Sequence, residues 1–443
     1  MSAKKAYIKT FGCQMNVHDS EKMAGILEAE GYEMTGERGS ADLIIYNTCS
    51  IREKAEQKFM SDLGRLKKAK SGRPGLRIAV AGCIAQQMGE KLFKRAPHVD
   101  FVLGPQNIHS ISDMLREGRH GDTALSDNPD ATLLELPASR KKGRSAWVSI
   151  MYGCDNFCTY CIVPHTRGRE TSRRSENIIN EIRMLAQEGF MEVTLLGQNV
   201  NSYMSDIGFV ELLRKINEID GIRRIRFVTN HPRNLSEELA EAIGTLDKVC
   251  ESIHLPLQSG SDSILRAMNR KYSFNEYMKC IDLLRKYTPD ISITSDIIAG
   301  FPGESAEDHN ATVNAIKSIG FDGIYGFRYS PRPGTRASGM DDQLPDTVKQ
   351  ERLLEILNIQ DDITLGKNSS LVGSLLEVML EAPSNTEAAV ISGRTRTNKI
   401  VNIAIPEGDE HLGAGGFMTV RIVKGNKHSL DGVPAQARAG GRY

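Results

Sequence analysis

Gly153-Cys154-Asp155-Asn156-Phe157-Cys158-Thr159-Tyr160-Cys161 carries three cysteines at the spacing C-x3-C-x2-C. A disulfide would leave one of three clustered thiols over. A closed tetrahedral zinc site asks for four ligands, and no fourth cysteine stands nearby. Thiolate is the usual ligand of iron–sulfur clusters, so three on a tight loop fit a four-iron four-sulfur cluster. One iron then stays open, and an open metal position signals chemistry where a closed one signals structure. Zinc and a redox thiol set are the competing readings.

The 443 residues around this loop bound the rest. The length gives a prior of about three domains. A hydrophobic content of 40% and a charged content of 25% are those of an ordinary soluble protein. No run of about 18 apolar residues would span a membrane. Residues 1–10 have lysines but no apolar core and no small-residue cleavage site, unlike a signal peptide. The expectation is a cytoplasmic monomer without membrane contact. In that compartment thiols stay reduced, and clustered cysteines hold metal more often than disulfides.

Upstream of the loop, strand patterns at 5–10, 42–46, 77–81 and 100–103 alternate with helical ones, the first helix over 19–32. Strand–helix repetition predicts a parallel sheet, flavodoxin- or Rossmann-like, with helices on both faces. Sites in such sheets lie at the carboxyl ends of strands. Three of these strands run into Cys13, Cys49 and Cys83, spaced 36 and 34 residues apart. Each alone reads as a buried small hydrophobe. Three at equivalent strand ends make a second three-thiolate set, and a second cluster. Residues 122–143 have little periodicity and read as a linker.

Downstream, strands at 147–151, 192–196, 225–228, 252–255, 292–298 and 324–329 alternate with helices such as 178–187 and 277–286. Six strand–helix units make a partial (β/α)6 barrel, whose site again lies at the strand carboxyl ends. Gln198 and Asn199, residues 229–231, His254 with Gln258, and the run from Gly300 to Glu304 fall there. An amphipathic helix over 347–363 closes the unit, with Leu353, Leu354, Ile356 and Leu357 on its apolar side. Cys250 and Cys280 have no cysteine neighbours and read as packed thiols.

From 371 the pattern shifts to short strands at 374–379, 388–392, 400–405 and 417–424, set off by glycine and charge. This predicts a small antiparallel β-barrel, a shape that commonly binds single-stranded nucleic acid. Net charge is zero, but basic residues cluster. Arg167, Arg169, Arg173 and Arg174 follow the cysteine loop; Arg223, Arg224 and Arg226 form a second group; Arg394, Arg396 and Lys399 sit in the turn between two tail strands. Such clusters can track phosphates, although a solvated face is the plainer reading of any one of them. With few aromatics, the tail reads as a backbone clamp.

The cysteine loop with its aromatic Tyr160 resembles the radical S-adenosylmethionine (SAM) enzymes. The resemblance implies that the open iron binds SAM and that an electron from the cluster breaks a carbon–sulfur bond to give a 5′-deoxyadenosyl radical. The run Asp296-Ile297-Ile298-Ala299-Gly300-Phe301-Pro302-Gly303-Glu304 looks like that family's SAM-binding segment. Phe11-Gly12-Cys13-Gln14-Met15-Asn16, Asn47-Thr48-Cys49-Ser50-Ile51-Arg52-Glu53-Lys54 and Ala81-Gly82-Cys83-Ile84-Ala85-Gln86-Gln87 resemble the methylthiotransferases. In these a second [4Fe-4S] cluster sits on the three cysteines, and the tail is an RNA-binding TRAM domain. The residues after Cys13 and Cys49 look like the tRNA branch that adds a methylthio group to isopentenyl-adenosine beside the anticodon. Other branches modify threonylcarbamoyl-adenosine or a ribosomal-protein aspartate. His165 departs from the pattern, standing where a tyrosine is more usual.

The resemblance thus implies a methylthiotransferase unit over 1–121, a radical SAM unit over 144–370 and a TRAM domain over 371–438. It implies SAM contacts from Tyr160, Gln198, Asn199, His254, Gln258, Gly300, Pro302 and Glu304. RNA contacts would come from Arg167, Arg169, Arg394, Arg396 and Lys399. An anticodon stem-loop and an electron donor such as flavodoxin or ferredoxin are the implied partners. A non-catalytic iron–sulfur RNA binder is the reading from another class, and it would need no SAM pocket.

Overall fold

A computed structural model describes residues 3–50, 53–118, 120–126, 133–140, 143–383, 390–404 and 415–435. Residues 127–132 and 141–142 of the expected linker, residues 51–52 of the second motif and the last residues of the expected tail domain lie outside these. So does the side chain of Glu53, which would complete a helix cap with Ser50.

The first unit is a six-stranded sheet in the order β2-β1-β3-β4-β5-β6. The strands are β1 (Lys4–Phe11), β2 (Tyr32–Met34), β3 (Leu43–Thr48), β4 (Arg77–Gly82), β5 (Phe101–Leu103) and β6 (Asp122–Ala124). Every pairing is parallel. The edge strands β2 and β6 are three residues each, too short to show alternation, and β6 extends the sheet into the stretch expected as linker. All six residues of β3 are buried, as a strand covered on both faces must be. Its period of two splits the core. Ile44 and Tyr46 pack with Phe59, Leu63 and Leu66 on one face, and Leu43 and Ile45 with Met23 and Leu27 on the other. Each such side chain contributes about 1.5–3 kcal/mol on burial. The helices are α1 (Gln14–Ala29), α2 (Glu53–Gly72), α3 (Cys83–Met88), α4 (Lys91–Arg95) and α5 (Ile111–Arg116).

The central unit holds β7 (Ser145–Ser149), a small hairpin of β8 (Met151–Tyr152) with β9 (Thr171–Ser172), then β10 (Glu192–Leu196), β11 (Arg224–Phe227), β12 (Ser252–His254), β13 (Ser292–Ala299) and β14 (Gly323–Arg328). Strands β7, β10 and β11 form one parallel triplet and β12, β13 and β14 another. Ile225 stitches them, donating to Lys248 O at 2.7 Å and accepting from Cys250 N at 3.0 Å. The result is an open arc of six parallel strands. The short helix α6 (Val163–Arg167) follows the cysteine loop.

The closing helix, Asp346–Ser369, turns Leu353, Ile356 and Leu357 of its expected apolar side inward but not Leu354. Leu354 is exposed, and the buried positions are Lys349, Ile356, Gln360, Thr364 and Asn368. The polar members have backbone to serve: Gln360 donates to Phe321 O at 2.8 Å and Asn368 to Asn426 O at 2.7 Å. Leu353 and Leu357 pack against Gly326 of β14, where a Cβ would come within 2.7 Å of Leu353.

The tail is a closed barrel of β15 (Leu375–Pro383), β16 (Val390–Thr395), β17 (Ile400–Ala404), β18 (Phe417–Gly425) and β19 (Leu430–Pro434). The fifth strand, broken in pattern by Gly432 and Pro434, was not expected. It pairs parallel with β17, so the barrel is not wholly antiparallel.

This barrel docks on the amino ends of the central strands through the basic clusters. Arg224, fully buried, donates to Arg394 O and to Glu377. Arg226 bonds Glu192 and the carbonyls of Thr395 and Arg396. Arg396 forks onto Glu251, Lys399 bonds Asp322 at 3.0 Å, and Arg394 bonds Glu381 at 2.7 Å. The charges expected to meet phosphates are spent on carboxylates of the protein itself.

Candidate active site

Strands β1, β3 and β4 are neighbours in register, Phe11 opposite Thr48 and Thr48 opposite Gly82. Cys13, Cys49 and Cys83 therefore leave the sheet at one level. Cys13 caps α1 and Cys83 opens α3. Asn16 ties the corner by donating to Asn47 Oδ1 and Thr48 O, each at 3.1 Å. Gly82 has φ +91°, and a Cβ there would stand 2.4 Å from Thr48 O. The Cys13 thiol is pulled down to about 6, by its hydrogen bond with Cys49 and by Arg167, against the effect of burial.

The second triad hangs from the β8–β9 hairpin. Cys154 N donates to Gly168 O at 3.3 Å and Cys161 N to Cys158 O at 2.9 Å. Phe157 takes a left-handed φ of +49°, which turns the loop. Thr159 fastens it to the far side of the arc, donating to Met268 O and Ala267 O. Burial pushes the Cys161 thiol up to about 12 and also raises Cys154. Thiols so buried ionise readily only when a metal supplies the positive charge, which is what cluster ligation does. Arg270, buried, brings Nη1 to 3.5 Å from Cys158 Sγ and bonds Pro256 O. No spacing in the sequence pointed to it.

The units that carry the two triads meet beside Tyr152. Met15, Tyr152 and Leu196 form one buried cluster, against which Cys13, Trp147 and Val228 pack. Lys22 of α1 donates to Tyr152 Oη at 2.6 Å, joining the first sheet to the hairpin beside the cysteine loop. Among the described residues no three His, Cys, Asp or Glu side chains gather as around a single ion. A four-iron cluster spreads its thiolates over separate irons and asks for a wider set.

At the carboxyl ends of β10 and β11, Gln198 Oε1, Asn199 Oδ1, Asn230 Oδ1 and His231 Nε2 are buried without a hydrogen-bond partner among the described residues. Buried polar atoms are ordinarily satisfied, so four orphans at one mouth fit a polar ligand such as SAM. Burial pulls the His231 imidazole down to about 2, which keeps it neutral. Asn230 and His231 lie in the strand-end run read from sequence, but neither stood among the expected SAM contacts. His254 bonds Thr294 at 3.0 Å and lies 3.4 Å from Asp296. Tyr160 packs against Phe301 and Tyr329. Gln258, at φ +71°, exchanges backbone bonds with Asp296 and Ile298.

Glu304 does not face this space. Its carboxylate accepts from Gly300 N at 2.5 Å and Phe301 N at 3.0 Å and pairs with Arg352 at 3.2 Å. It braces the glycine turn from behind, with Pro302 buried inside it. Arg167 is likewise not a surface cation: it is buried and paired with Asp19 at 2.7 Å. Arg169 remains exposed, paired with Asp155 and stacked on Phe157. His165 is exposed. Open grooves of about 810 and 1210 Å³ run elsewhere, along the outer helices, and neither is lined by a cysteine.

Residues 5–104 match the uncharacterized protein family UPF0004, and residues 148–316 the radical SAM superfamily. The tRNA-2-methylthio-N(6)-dimethylallyladenosine synthase of Thermodesulfovibrio yellowstonii is 49% identical over 98% of this chain and 99% of its own. That of Thermoanaerobacter pseudethanolicus is 46% identical over 96% of this chain and 92% of its own. The fold is shared with the radical SAM methyltransferase TsrM from Kitasatospora setae (TM-score 0.57, 14% identity, 76% of this chain and 77% of that one). Near-identity of length with relatives of one activity, over both cysteine motifs, places the chain in the radical SAM methylthiotransferase family.

Proposed function

We propose that this chain converts N6-dimethylallyl-adenosine of tRNA, beside the anticodon, into its 2-methylthio derivative. The observation that carries this is a pair of three-thiol sets on units that meet at Tyr152, beside strand ends that hold unsatisfied polar atoms. Cys154, Cys158 and Cys161 are the ligands of the radical-generating cluster, and Cys13, Cys49 and Cys83 those of the auxiliary cluster. The clusters and SAM, when bound, would supply what no ordinary side chain provides for an unactivated C–H: the sulfur, a methyl group from one SAM and the 5′-deoxyadenosyl radical from another. The chain's own residues hold and shield these groups. Arg270 places a fixed cation on Cys158 Sγ. Gln198, Asn199, Asn230 and His231 offer polar atoms to the SAM amino acid and ribose. Tyr152, Leu196 and Met15 form a buried apolar wall beside Cys13.

An anticodon loop suits such a mouth because its bases are already unpaired, and a stacked base would hide C2. Arg169 and Phe157, a cation on an exposed ring at the lip, are the residues we assign to the incoming RNA. Arg394, Arg396 and Lys399 act as struts of the barrel. The protein works as a monomer in the cytoplasm, beside its tRNA, with a flavodoxin- or ferredoxin-type reductant. Among the described residues no helix is long and apolar enough to cross a membrane.

The test is reconstituted protein under strong reductant with SAM and tRNA carrying dimethylallyl-adenosine, followed by nucleoside mass spectrometry. The methylthio nucleoside is expected, together with 5′-deoxyadenosine. Release of 5′-deoxyadenosine only with threonylcarbamoyl-adenosine tRNA, or its absence with every RNA, would overturn the assignment.

A further inference from the structure

Arg167 was expected on the surface, holding RNA. It lies instead where α6, which follows the cysteine loop, meets the two helices that begin at Cys13 and Cys83. It ends α6, six residues after Cys161. Its guanidinium pairs with Asp19 at 2.7 Å, on the helix that Cys13 caps. Its helix α6 packs against α3, the helix that Cys83 opens. Its carbonyl accepts from Gln106 Nε2 of the first unit at 3.0 Å. Both partners of the ion pair are almost wholly buried, Arg167 4% and Asp19 2% exposed. Water screens such a pair little, so its field reaches neighbouring groups at close to full strength.

We propose that Arg167 is a positioning residue that sets the electrostatics of the auxiliary triad, with Asp19 as its counterweight. The inference rests on the assignment of Cys13, Cys49 and Cys83 to a cluster. Three thiolates around an iron–sulfur core carry net negative charge, and reduction adds to it. A fixed cation beside them favours the reduced form and raises the potential, while a fixed carboxylate does the opposite. Because α6 continues from the radical-site loop, the same guanidinium also fixes the distance between the two cysteine sets. A radical centre and a sulfur donor must meet within the lifetime of a reactive intermediate, so that distance matters to product more than to SAM cleavage.

The test uses the full chain with Cys154, Cys158 and Cys161 replaced by alanine, reconstituted with iron and sulfide so that only the auxiliary cluster forms. Its midpoint potential is read by redox titration with electron paramagnetic resonance. Arg167→Gln should lower the potential, reducing the reduced-to-oxidised ratio at fixed potential about tenfold, or about 59 mV for one electron. Asp19→Asn should raise it. Shifts of opposite sign are the signature, because a strut that merely held two units together would move both variants the same way or neither. Should Arg167→Gln not fold, Asp19→Asn alone decides, and an unchanged or lowered potential overturns the proposal. A cluster that binds with both potentials unmoved also overturns it. Failure of the parent protein to take up iron overturns instead the assignment of the triad itself, and the inference with it.

Discussion

The two cysteine triads are alike in chemistry and opposite in construction. Cys154, Cys158 and Cys161 lie on one loop and are brought together by local geometry: the hairpin above, the left-handed Phe157 and the carbonyls of 267 and 268 below. Cys13, Cys49 and Cys83 are held by nothing local. They converge because β1, β3 and β4 stack in register, and a slip of one residue would turn the thiols to the wrong face. The local triad is a property of a peptide, whereas the distributed one belongs to a whole sheet. Their roles differ accordingly. In the function proposed above, the loop set ligates the radical-generating cluster and the sheet set the sulfur-delivering one.

The sharpest break in this comparison comes from removing one ligand on each side. Cys158→Ala should take both 5′-deoxyadenosine and methylthio product to background, since without the radical no hydrogen leaves C2. Cys83→Ala should abolish the methylthio product while SAM cleavage stays within about threefold of the parent, a difference below about 1 kcal/mol. Paired quantification of the two products by mass spectrometry checks this. Loss of SAM cleavage in Cys83→Ala would mean that the triads do not work as separate halves.

That asymmetry also explains what could be read from the sequence. The local triad is visible as a spacing, and the central strands as alternation. The distributed triad became legible only because each cysteine follows a recognisable buried strand. The short edge strands β2 and β6 escaped because three residues show no period, and β19 because Gly432 and Pro434 interrupt it. The basic clusters misled for a different reason. A run such as Arg223, Arg224 and Arg226 says that an anion is needed but not which one. For Arg223 and Arg224 the partner is Glu377, more than 150 residues away in the chain, and nothing local announces it. Arg167 and Glu304 misled the same way, each meeting its charge through the fold. Arg270 had no motif at all, because the chain brings it to Cys158 from 112 residues away.

A gentler test separates the triads without touching a thiol. Gly82 sits at φ +91° between Cys49 and Cys83, and a Cβ there would press to 2.4 Å on Thr48 O and 2.5 Å on Asn47 Oδ1. Gly82→Ala must strain the strand end, at a cost of about 1–3 kcal/mol for the backbone conformation alone. The expected result is a protein that holds roughly half the parent's iron and still cleaves SAM, because only the sheet-borne cluster depends on that corner. Iron analysis after reconstitution reads it. Equal loss from both sites would show that the first sheet also shapes the radical loop.

The smallest effect lies in the seam between the two halves. Glu21 of α1 is pushed up to about 7, chiefly by burial, with Arg140 opposing and Glu181 of the central unit adding to the rise. Its ordinary value is 4.5, so between there and about 7 the folded chain keeps a proton that the unfolded chain has released. Stability therefore falls as pH rises across that window and levels off above it. After allowance for partial exposure the slope amounts to about 2 kcal/mol in all. Glu21→Gln should abolish it, leaving a variant more stable than the parent near neutral pH and little changed at acid pH. Thermal denaturation of both proteins across the window checks this. If the seam alone is eased, the Gln variant gains stability while both clusters and SAM cleavage stay as they were. A change at either triad would mean that the protonation of one buried carboxyl reaches the thiols, and the two sites would be less independent than their construction implies.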